Sequence, residues 1–164
     1  MSRDIAQLTS KELSALEDAL KAERLLIKKY KTYALLSTDP QIKTQYEQTA
    51  GRHQNHFDRL LSFLNEEGDD VHPMAHIPMQ DKDMLCDSLA SQKEITGIYN
   101  TFSNECVSTP LRNELLNILH DEHSIGADIL SEMQKRGWYP AEQAEEQKIQ
   151  SARQKFAGPN TQNG

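Results

Sequence analysis

The sequence predicts an all-α domain, an antiparallel four-helix bundle made of two helical hairpins that one long segment joins. Three observations predict this fold class. Long stretches without proline carry apolar residues spaced three and four apart, prolines lie at the boundaries between these stretches, and one connection is much longer than the others. The 164 residues are sufficient for one domain with a buried core.

The first hairpin is predicted from two helices. Helix A begins near Thr9, because Thr9-Ser-Lys-Glu12 has the sequence of a capping box, and it ends near Ser37. Helix B begins after Thr38-Asp39-Pro40 and runs to about Glu67. The residues expected to face the interior are Leu13, Leu16, Leu20, Glu23, Ile27, Tyr30 and Ala34 in helix A, and Ile42, Tyr46, Thr49, His53, His56, Leu60 and Phe63 in helix B.

The second hairpin is predicted in the same way. Helix C spans about Asp81 to Cys106. Helix D begins at Thr109-Pro110, with the proline at the first helical position, where it is tolerated, and ends near Arg136-Gly137. In helix C the residues expected inside are Leu85, Leu89, Gln92, Thr96, Tyr99, Ser103 and Cys106. In helix D they are Leu116, Leu119, His123, Gly126, Leu130 and Met133, with Glu122, Ile125 and Ile129 beside them.

The lengths of the connections indicate the topology. Helices A and B, and helices C and D, are joined by tight turns, so each pair forms an antiparallel hairpin. The segment from Gly68 to Gln80 can extend over ~40 Å at ~3.3 Å per residue, which is about the length of a helix. We therefore expect a ferritin-like crossover, with residues 1–140 forming the bundle.

Residues 141–164 are expected to form a C-terminal tail. This tail contains a short helix, which we expect to dock or fray, followed by a disordered end from Gly158.

Composition and charge exclude several partners. The formal net charge is −7, which disfavours binding to nucleic acid and to anionic membranes. No apolar run approaches the ~20 residues that span a bilayer. The segment Met1–Gln7 has no apolar signal-peptide core, so we expect synthesis and retention in a cytosol.

The two cysteines are not expected to form an internal disulfide. Cys86 and Cys106 would lie ~30 Å apart on helix C, which is too far for such a bond. Either both thiols are reduced, or they form crosslinks between molecules.

An internal repeat relates the two hairpins. The segment Tyr30–Leu64 aligns with Tyr99–Met133 at a shift of 69 or 70 residues. This alignment places His53 opposite His123 and makes Gln92 the counterpart of Glu23. Such a repeat is typical of bundles that arose from paired hairpins.

The residues predicted at the bundle centre include metal ligands but not the full set of a dimetal site. Carboxylate-bridged dimetal bundles use one Glu from each of two helices and Glu-x-x-His from each of the other two. Helix B has His53-x-x-His56 instead, and helix D has His120-x-x-His123 with Glu122 between them. The counterpart of Glu23 is a glutamine. The sequence therefore disfavours a di-iron centre.

Two interpretations of the bundle centre remain open. A mononuclear site for Mn, Fe or Zn can be built from Glu23, His53, His56 and His123, because imidazole and carboxylate suit these ions; the neighbouring His120 and Glu122 are further candidate ligands. Alternatively, no cofactor is bound, and the centre is a buried polar layer left by a lost site. In that layer Glu23, His53, Gln92 and His123 would hydrogen-bond one another.

The second half of the chain resembles a known family. The match runs from Leu85 to Pro140 and is weaker through Gln147–Phe156. It is carried by Ser91-Gln92-Lys93, Tyr99-Asn100-Thr101, Asn104-Glu105-Cys106, Pro110-Leu111-Arg112, Asp121-Glu122-His123 and the run Met133-Gln134-Lys135-Arg136-Gly137-Trp138-Tyr139-Pro140. On these residues the chain resembles the coat F family of bacterial spore coat proteins. His120 departs from the family pattern, in which a polar residue other than histidine is expected.

The resemblance implies a ferritin-like fold and a structural, non-enzymatic role in the coat of an endospore. It also implies synthesis in the mother-cell cytoplasm and assembly with other coat proteins or with further copies of this chain. No catalytic residue is carried over, because the family has no established enzymatic activity. A metal-binding redox or storage protein is the alternative function.

Overall fold

The computed structural model describes residues 8–64, 66, 68, 70–74 and 79–157, and its regular structure is entirely helical across them. The helices are α1 (Ser10–Leu36), α2 (Pro40–Leu61) with a 3₁₀ turn after it (Ser62–Leu64), α3 (Asp81–Glu105), α4 (Thr109–Lys135) and α5 (Glu146–Ala157). No described helix is long and apolar enough to cross a membrane. The predicted helices are confirmed to within one or two residues, except that helix B ends earlier. Its predicted end at Glu67 and the predicted disorder from Gly158 lie outside the described residues.

Side-chain caps explain where the helices begin. Thr9 Oγ1 accepts a hydrogen bond from Glu12 N at 3.1 Å, and Glu12 Oε2 accepts one from Thr9 N at 2.8 Å, which confirms the capping box. Asp39 caps α2, with Oδ1 2.8 Å from Gln41 N. Ser108 caps α4, so that Pro110 occupies the second helical position.

Contacts between helix ends establish the topology. The Asp81 carboxylate at the start of α3 accepts hydrogen bonds from Thr38 and Asp39, in the turn between α1 and α2. Glu12, at the opposite end of α1, contacts the turn between α3 and α4 through Ser108. Because α2 is antiparallel to α1 and ends where α1 begins, while α3 begins where α1 ends, the end of α2 and the start of α3 lie at opposite ends of the bundle. The long crossover is therefore confirmed, and α1 lies antiparallel to both α2 and α3.

The core follows the repeat with a constant shift. Most buried residues of the first hairpin have a buried counterpart 69 positions later in the second. Fully or almost fully buried pairs include Leu16 with Leu85, Tyr30 with Tyr99, Ile42 with Leu111, Tyr46 with Leu115, His53 with Glu122, and Leu60 with Ile129. The N-caps Asp39 and Ser108 obey the same shift.

The predicted orientation of helix D is wrong by about one residue. Its buried face consists of Leu111, Leu115, Ile118, Glu122, Ile125, Ile129 and Met133. His123 is exposed, and Leu116 is 47% exposed. A shift of 70, which places His53 opposite His123, is one residue too long, because the N-caps Asp39 and Ser108 lie 69 residues apart. In α1, Leu13 was also expected inside and is 40% exposed.

The last helix lies largely in solvent. Within α5 only Ile149 is even half-buried, and Phe156 is 81% exposed. The helix is present as expected, but it buries no residue on the bundle. Cys86 is exposed and Cys106 is buried, and both are free thiols.

The buried Glu12 carboxylate should stabilise both α1 and the turn between α3 and α4. Its Oε1 accepts hydrogen bonds from Val107 N at 2.7 Å and Ser108 N at 2.5 Å. We expect Glu12→Gln to lower the free energy of unfolding by about 1–2 kcal/mol, the scale of a lost cap. Urea unfolding measures this, with the exposed Glu17→Gln in the same helix as the control. Equal losses in the two variants would contradict the assignment.

The contribution of Glu12 should depend on pH. Burial alone would raise the pKa of Glu12, but the hydrogen bonds from Ser108 and Thr9 outweigh burial and lower it from 4.5 to about 2. A carboxyl whose pKa is lower in the folded state stabilises the protein above its unfolded pKa and loses that effect as pH falls. The difference between the wild-type protein and Glu12→Gln should therefore be full above pH 4.5 and shrink towards pH 2. A difference that stays constant through this range would contradict the pKa shift.

Candidate metal centre

Three helices bring four potential metal ligands together at the centre of the bundle. These are Glu23 from α1, His53 and His56 from α2, and Glu122 from α4, and one ligand atom from each lies within 4.8 Å of the others. His56 is 1% exposed, and the other three are 0% exposed. His53 and His56 share a face of α2 because residues three apart project in nearly the same direction.

Both imidazoles present the same nitrogen to the carboxylates. His53 Nδ1 lies 2.6 Å from Glu23 Oε2 and 3.3 Å from Glu122 Oε1. His56 Nδ1 lies 2.9 Å from Glu122 Oε1 and 3.5 Å from Glu23 Oε1. The two Nδ1 atoms and the two carboxylates therefore enclose one small volume.

Gln92 and two tyrosines complete the buried hydrogen-bond network. Gln92 Oε1 lies 3.1 Å from His53 Nε2 and accepts a hydrogen bond from Tyr30 Oη at 2.8 Å. Gln92 Nε2 donates to Glu122 Oε2 at 2.7 Å. Tyr99 Oη donates to Glu23 Oε1 at 2.5 Å. The network thus ties α3 to each of the other three helices of the bundle.

One residue of the network reaches solvent. The side chain of Asp121 is 34% exposed, and its Oδ2 lies 2.6 Å from His56 Nε2. Arg52 holds this carboxylate from outside, with Nε 3.3 Å from Oδ2 and Nη2 3.2 Å from the Asp121 carbonyl oxygen. Arg52 Nη1 also donates to Asp128 at 3.2 Å. Asp121 therefore connects the buried cluster to an ion pair at the surface.

The buried charges compensate one another. Burial alone would lower the pKa of His53, but the negative charges of Glu23 and Glu122 outweigh burial and raise it to about 10. The same opposition raises the pKa of His56 to about 9. Burial would raise the pKa of Glu122, yet the charge of His53 and the hydrogen bonds from both histidines hold it well below its usual range. At neutral pH two imidazolium groups therefore balance two carboxylates.

The structure gathers some of the predicted site residues and separates others. Glu23, His53, His56 and Glu122 meet, whereas His120 and His123 are exposed on α4 and do not reach the cluster. The prediction that His123 faces the interior is wrong, and Glu122 takes that place. Gln92 lies in the hydrogen-bonded layer as expected. The contact between Asp121 and His56 was not predicted from the sequence. Asp121 lies 69 residues after Arg52, its counterpart in the repeat, and the two residues form an ion pair.

The donor set fits one first-row divalent ion. Two imidazole nitrogens and two carboxylates are ligands for zinc, manganese and iron. The repeat also indicates where the symmetric second ion would need ligands. There Gln92 stands in the position of Glu23, and Ile125 in the position of His56. An apolar side chain cannot ligate, so the residues suit a mononuclear site and not a symmetric pair of ions.

The second hairpin matches a known domain. Residues 80–142 match the Coat F domain, a segment that contains α3, α4 and the turn between them. The match covers 63 of the 164 residues of the chain. The resemblance predicted from Leu85 to Pro140 is thereby confirmed, and the Coat F domain supports a role in the spore coat. A search of curated proteins found no match.

Solved structures share the fold at low sequence identity. A candidate spore coat protein from Bacillus halodurans has a TM-score of 0.75 at 12% identity, covering 85% of this chain and 96% of that one. A conserved hypothetical protein from Mycobacterium tuberculosis has a TM-score of 0.64 at 17% identity, with coverages of 83% and 97%. A two-domain Anabaena variabilis protein with DJ-1/ThiJ/PfpI-like and ferritin-like domains has a TM-score of 0.67 at 16% identity, covering 85% of this chain and 41% of that one. The ferritin-like fold class is therefore confirmed.

Substitutions of the adjacent residues Glu122 and His123 should have very different effects on the free energy of unfolding. In metal-free protein, Glu122→Gln removes one of two buried negative charges and leaves the imidazolium groups partly uncompensated. We expect a loss of about 3–5 kcal/mol in the free energy of unfolding, the scale for breaking a buried ion pair. His123→Gln should change it by no more than about 0.5 kcal/mol, as is usual at the surface. Urea unfolding after treatment with a chelator tests this, and a larger loss in His123→Gln would contradict the register of α4.

Proposed function

We propose that this protein is a structural, non-enzymatic component of the bacterial endospore coat. The observation that carries the proposal is the Coat F domain at residues 80–142. The burial of the bundle centre supports a non-enzymatic role, because its four candidate ligands are at most 1% exposed. An organic substrate cannot reach them without a rearrangement of the helices.

We propose that the protein is synthesised in the mother-cell cytoplasm and assembles there with other coat proteins or with further copies of itself. The exposed α5 supports self-association, since Phe156 is 81% exposed at its end. The half-buried Trp138, against which Arg136 stacks at 5.4 Å, adds an aromatic corner just beyond α4. A strict monomer in light scattering at high concentration would contradict self-association.

Spore fractionation tests the coat role. An epitope-tagged copy is expressed in a sporulating bacterium under a mother-cell promoter, and purified spores are extracted with alkaline detergent and reductant, which removes the coat. We expect the tagged protein in the coat extract and not in the decoated spores. A tagged cytosolic protein expressed from the same promoter is the control and should be absent from the purified spores. Recovery of the tagged protein only in the mother-cell lysate would contradict the proposal.

A second function is favoured by the buried cluster. We propose that the bundle centre binds one Mn, Fe or Zn ion through Glu23, His53, His56 and Glu122, as in a storage or redox protein. The supporting observation is that ligand atoms from these residues lie within 4.8 Å of one another. A bound ion would supply a positive charge between the two carboxylates and would link α1, α2 and α4. This function is compatible with a place in the coat.

Metal analysis of two histidine variants tests this second function. We expect near-stoichiometric metal by mass spectrometry in protein purified without chelators, loss of that metal in His53→Ala, and full retention in His123→Ala, because only His53 faces the cluster. After the metal is removed with a chelator, added metal should also raise the melting temperature of the wild-type protein, since a ligand that binds only the folded state stabilises it. Metal-free protein with an unchanged melting temperature in Mn, Fe and Zn would rule out the site. Equal loss of metal in both variants would contradict the assigned ligands.

A further inference from the structure

Each histidine of the bundle centre has both ring nitrogens engaged. The Nδ1 atoms face Glu23 and Glu122, and the Nε2 atoms face outward to other side chains. His53 Nε2 lies 3.1 Å from Gln92 Oε1, and His56 Nε2 lies 2.6 Å from Asp121 Oδ2. The outer contact of each imidazole is therefore a hydrogen-bond acceptor on a different helix.

We propose that Gln92 and Asp121 are positioning residues for the metal centre. Each accepts a hydrogen bond from the Nε2–H of one histidine and so leaves the Nδ1 of that histidine to a divalent metal ion. An imidazole that ligates a metal is neutral and keeps one N–H, whose hydrogen-bond partner decides which nitrogen faces the ion. This inference rests on the proposed metal-binding function, and it changes the role of Gln92 from a lost ligand to an orienting group.

The orientation of the Gln92 amide follows from its partners. Glu122 is a carboxylate and only accepts hydrogen bonds, so the Gln92 NH₂ group must point to it, at 2.7 Å. The Gln92 carbonyl oxygen is then directed to His53 Nε2, which can only donate to it. Tyr30 Oη donates to the same oxygen at 2.8 Å and holds it in place. A glutamate here would bring a third carboxylate into the buried centre.

Asp121 orients His56 at the edge of the cluster, as Gln92 orients His53 inside it. Arg52 pairs with its carboxylate and with its carbonyl oxygen, and these contacts hold Asp121 towards His56. A carboxylate acceptor fixes the imidazole and also makes it a better metal ligand. Asp128 contacts the same Arg52 at 3.2 Å but makes no described contact with His56, so it offers a matched control.

Zinc affinity and imidazole NMR test the proposal. Zinc is the probe because it is diamagnetic, and its affinity is measured by competition with a chromophoric chelator. We expect Asp121→Ala to weaken zinc binding by about 10–100-fold, the usual effect of losing such a partner. Asp121→Asn keeps an acceptor oxygen and should lose less, while Asp128→Ala should bind as the wild-type protein does. Gln92→Leu should also weaken binding.

The nitrogen-15 spectrum of the zinc-loaded protein identifies the ligating atoms directly. In the wild-type protein both His53 and His56 should carry the proton on Nε2 and zinc on Nδ1. In Asp121→Ala the His56 signals should change and those of His53 should not, which a general loss of structure would not produce. Melting curves of the metal-free variants establish that each is folded. If Gln92→Leu does not fold, the test rests on the variants of the half-exposed Asp121 alone.

The outcomes separate the two proposals. If the wild-type protein binds no zinc, manganese or iron, the metal function fails and this inference fails with it. If the wild-type protein binds zinc but Asp121→Ala binds it equally well, the metal function stands and only the positioning role is overturned. Ligation through Nε2 in the wild-type spectrum would also overturn the positioning role alone.

Discussion

The bundle encloses two carboxylates in an interior from which water is excluded, and this burial constrains much of the surrounding structure. Glu23 and Glu122 are 0% exposed, and an isolated buried carboxylate costs several kcal/mol even after the protein relaxes. The imidazolium groups of His53 and His56 offset this cost of burial only if they lie within hydrogen-bond distance of the two carboxylates. The requirement couples the registers of α1, α2 and α4, since a shift of one residue along α4 would replace Glu122 by Asp121 or His123. Tyr99 and Gln92 extend the same coupling to α3.

The two hairpins differ in the polar residues that they place at the bundle centre, and this difference balances the buried charges. Both hairpins follow one pattern of buried positions, but the polar residues within it differ between the halves. The first hairpin supplies one carboxylate and both imidazoles, and the second supplies the other carboxylate, the amide of Gln92 and the apolar Ile125. A symmetric set of residues would have placed more charges of one sign in the centre. The divergence of the halves therefore reduces the dimetal pattern to a set suited to one ion.

Much of the fold follows from local sequence signals, whereas the centre does not. Caps such as Thr9-Ser-Lys-Glu12, the positions of proline and the length of the crossover predict the helices and their topology, because each depends on neighbouring residues. The ligands on α2 follow from the spacing of His53 and His56. The choice between Glu122 and His123 depends on a rotation of about 100° per residue of an α-helix, which an alignment ambiguous by one residue cannot resolve. The partnership of Asp121 with His56 joins residues on different helices, and no local pattern predicts it.

The proposed coat role and the proposed metal binding would make different demands on the same bundle. The charged groups at the centre are hydrogen-bonded to other side chains of the protein itself. An ion placed between the carboxylates would add a further link among three helices without creating a new surface. The contacts proposed within a coat would instead use outer surfaces such as α5 and the corner at Trp138, which follow the matched hairpin or lie at its end. Because these regions are separate from the four buried ligands, the proposed ion binding would leave the proposed contact surfaces unchanged.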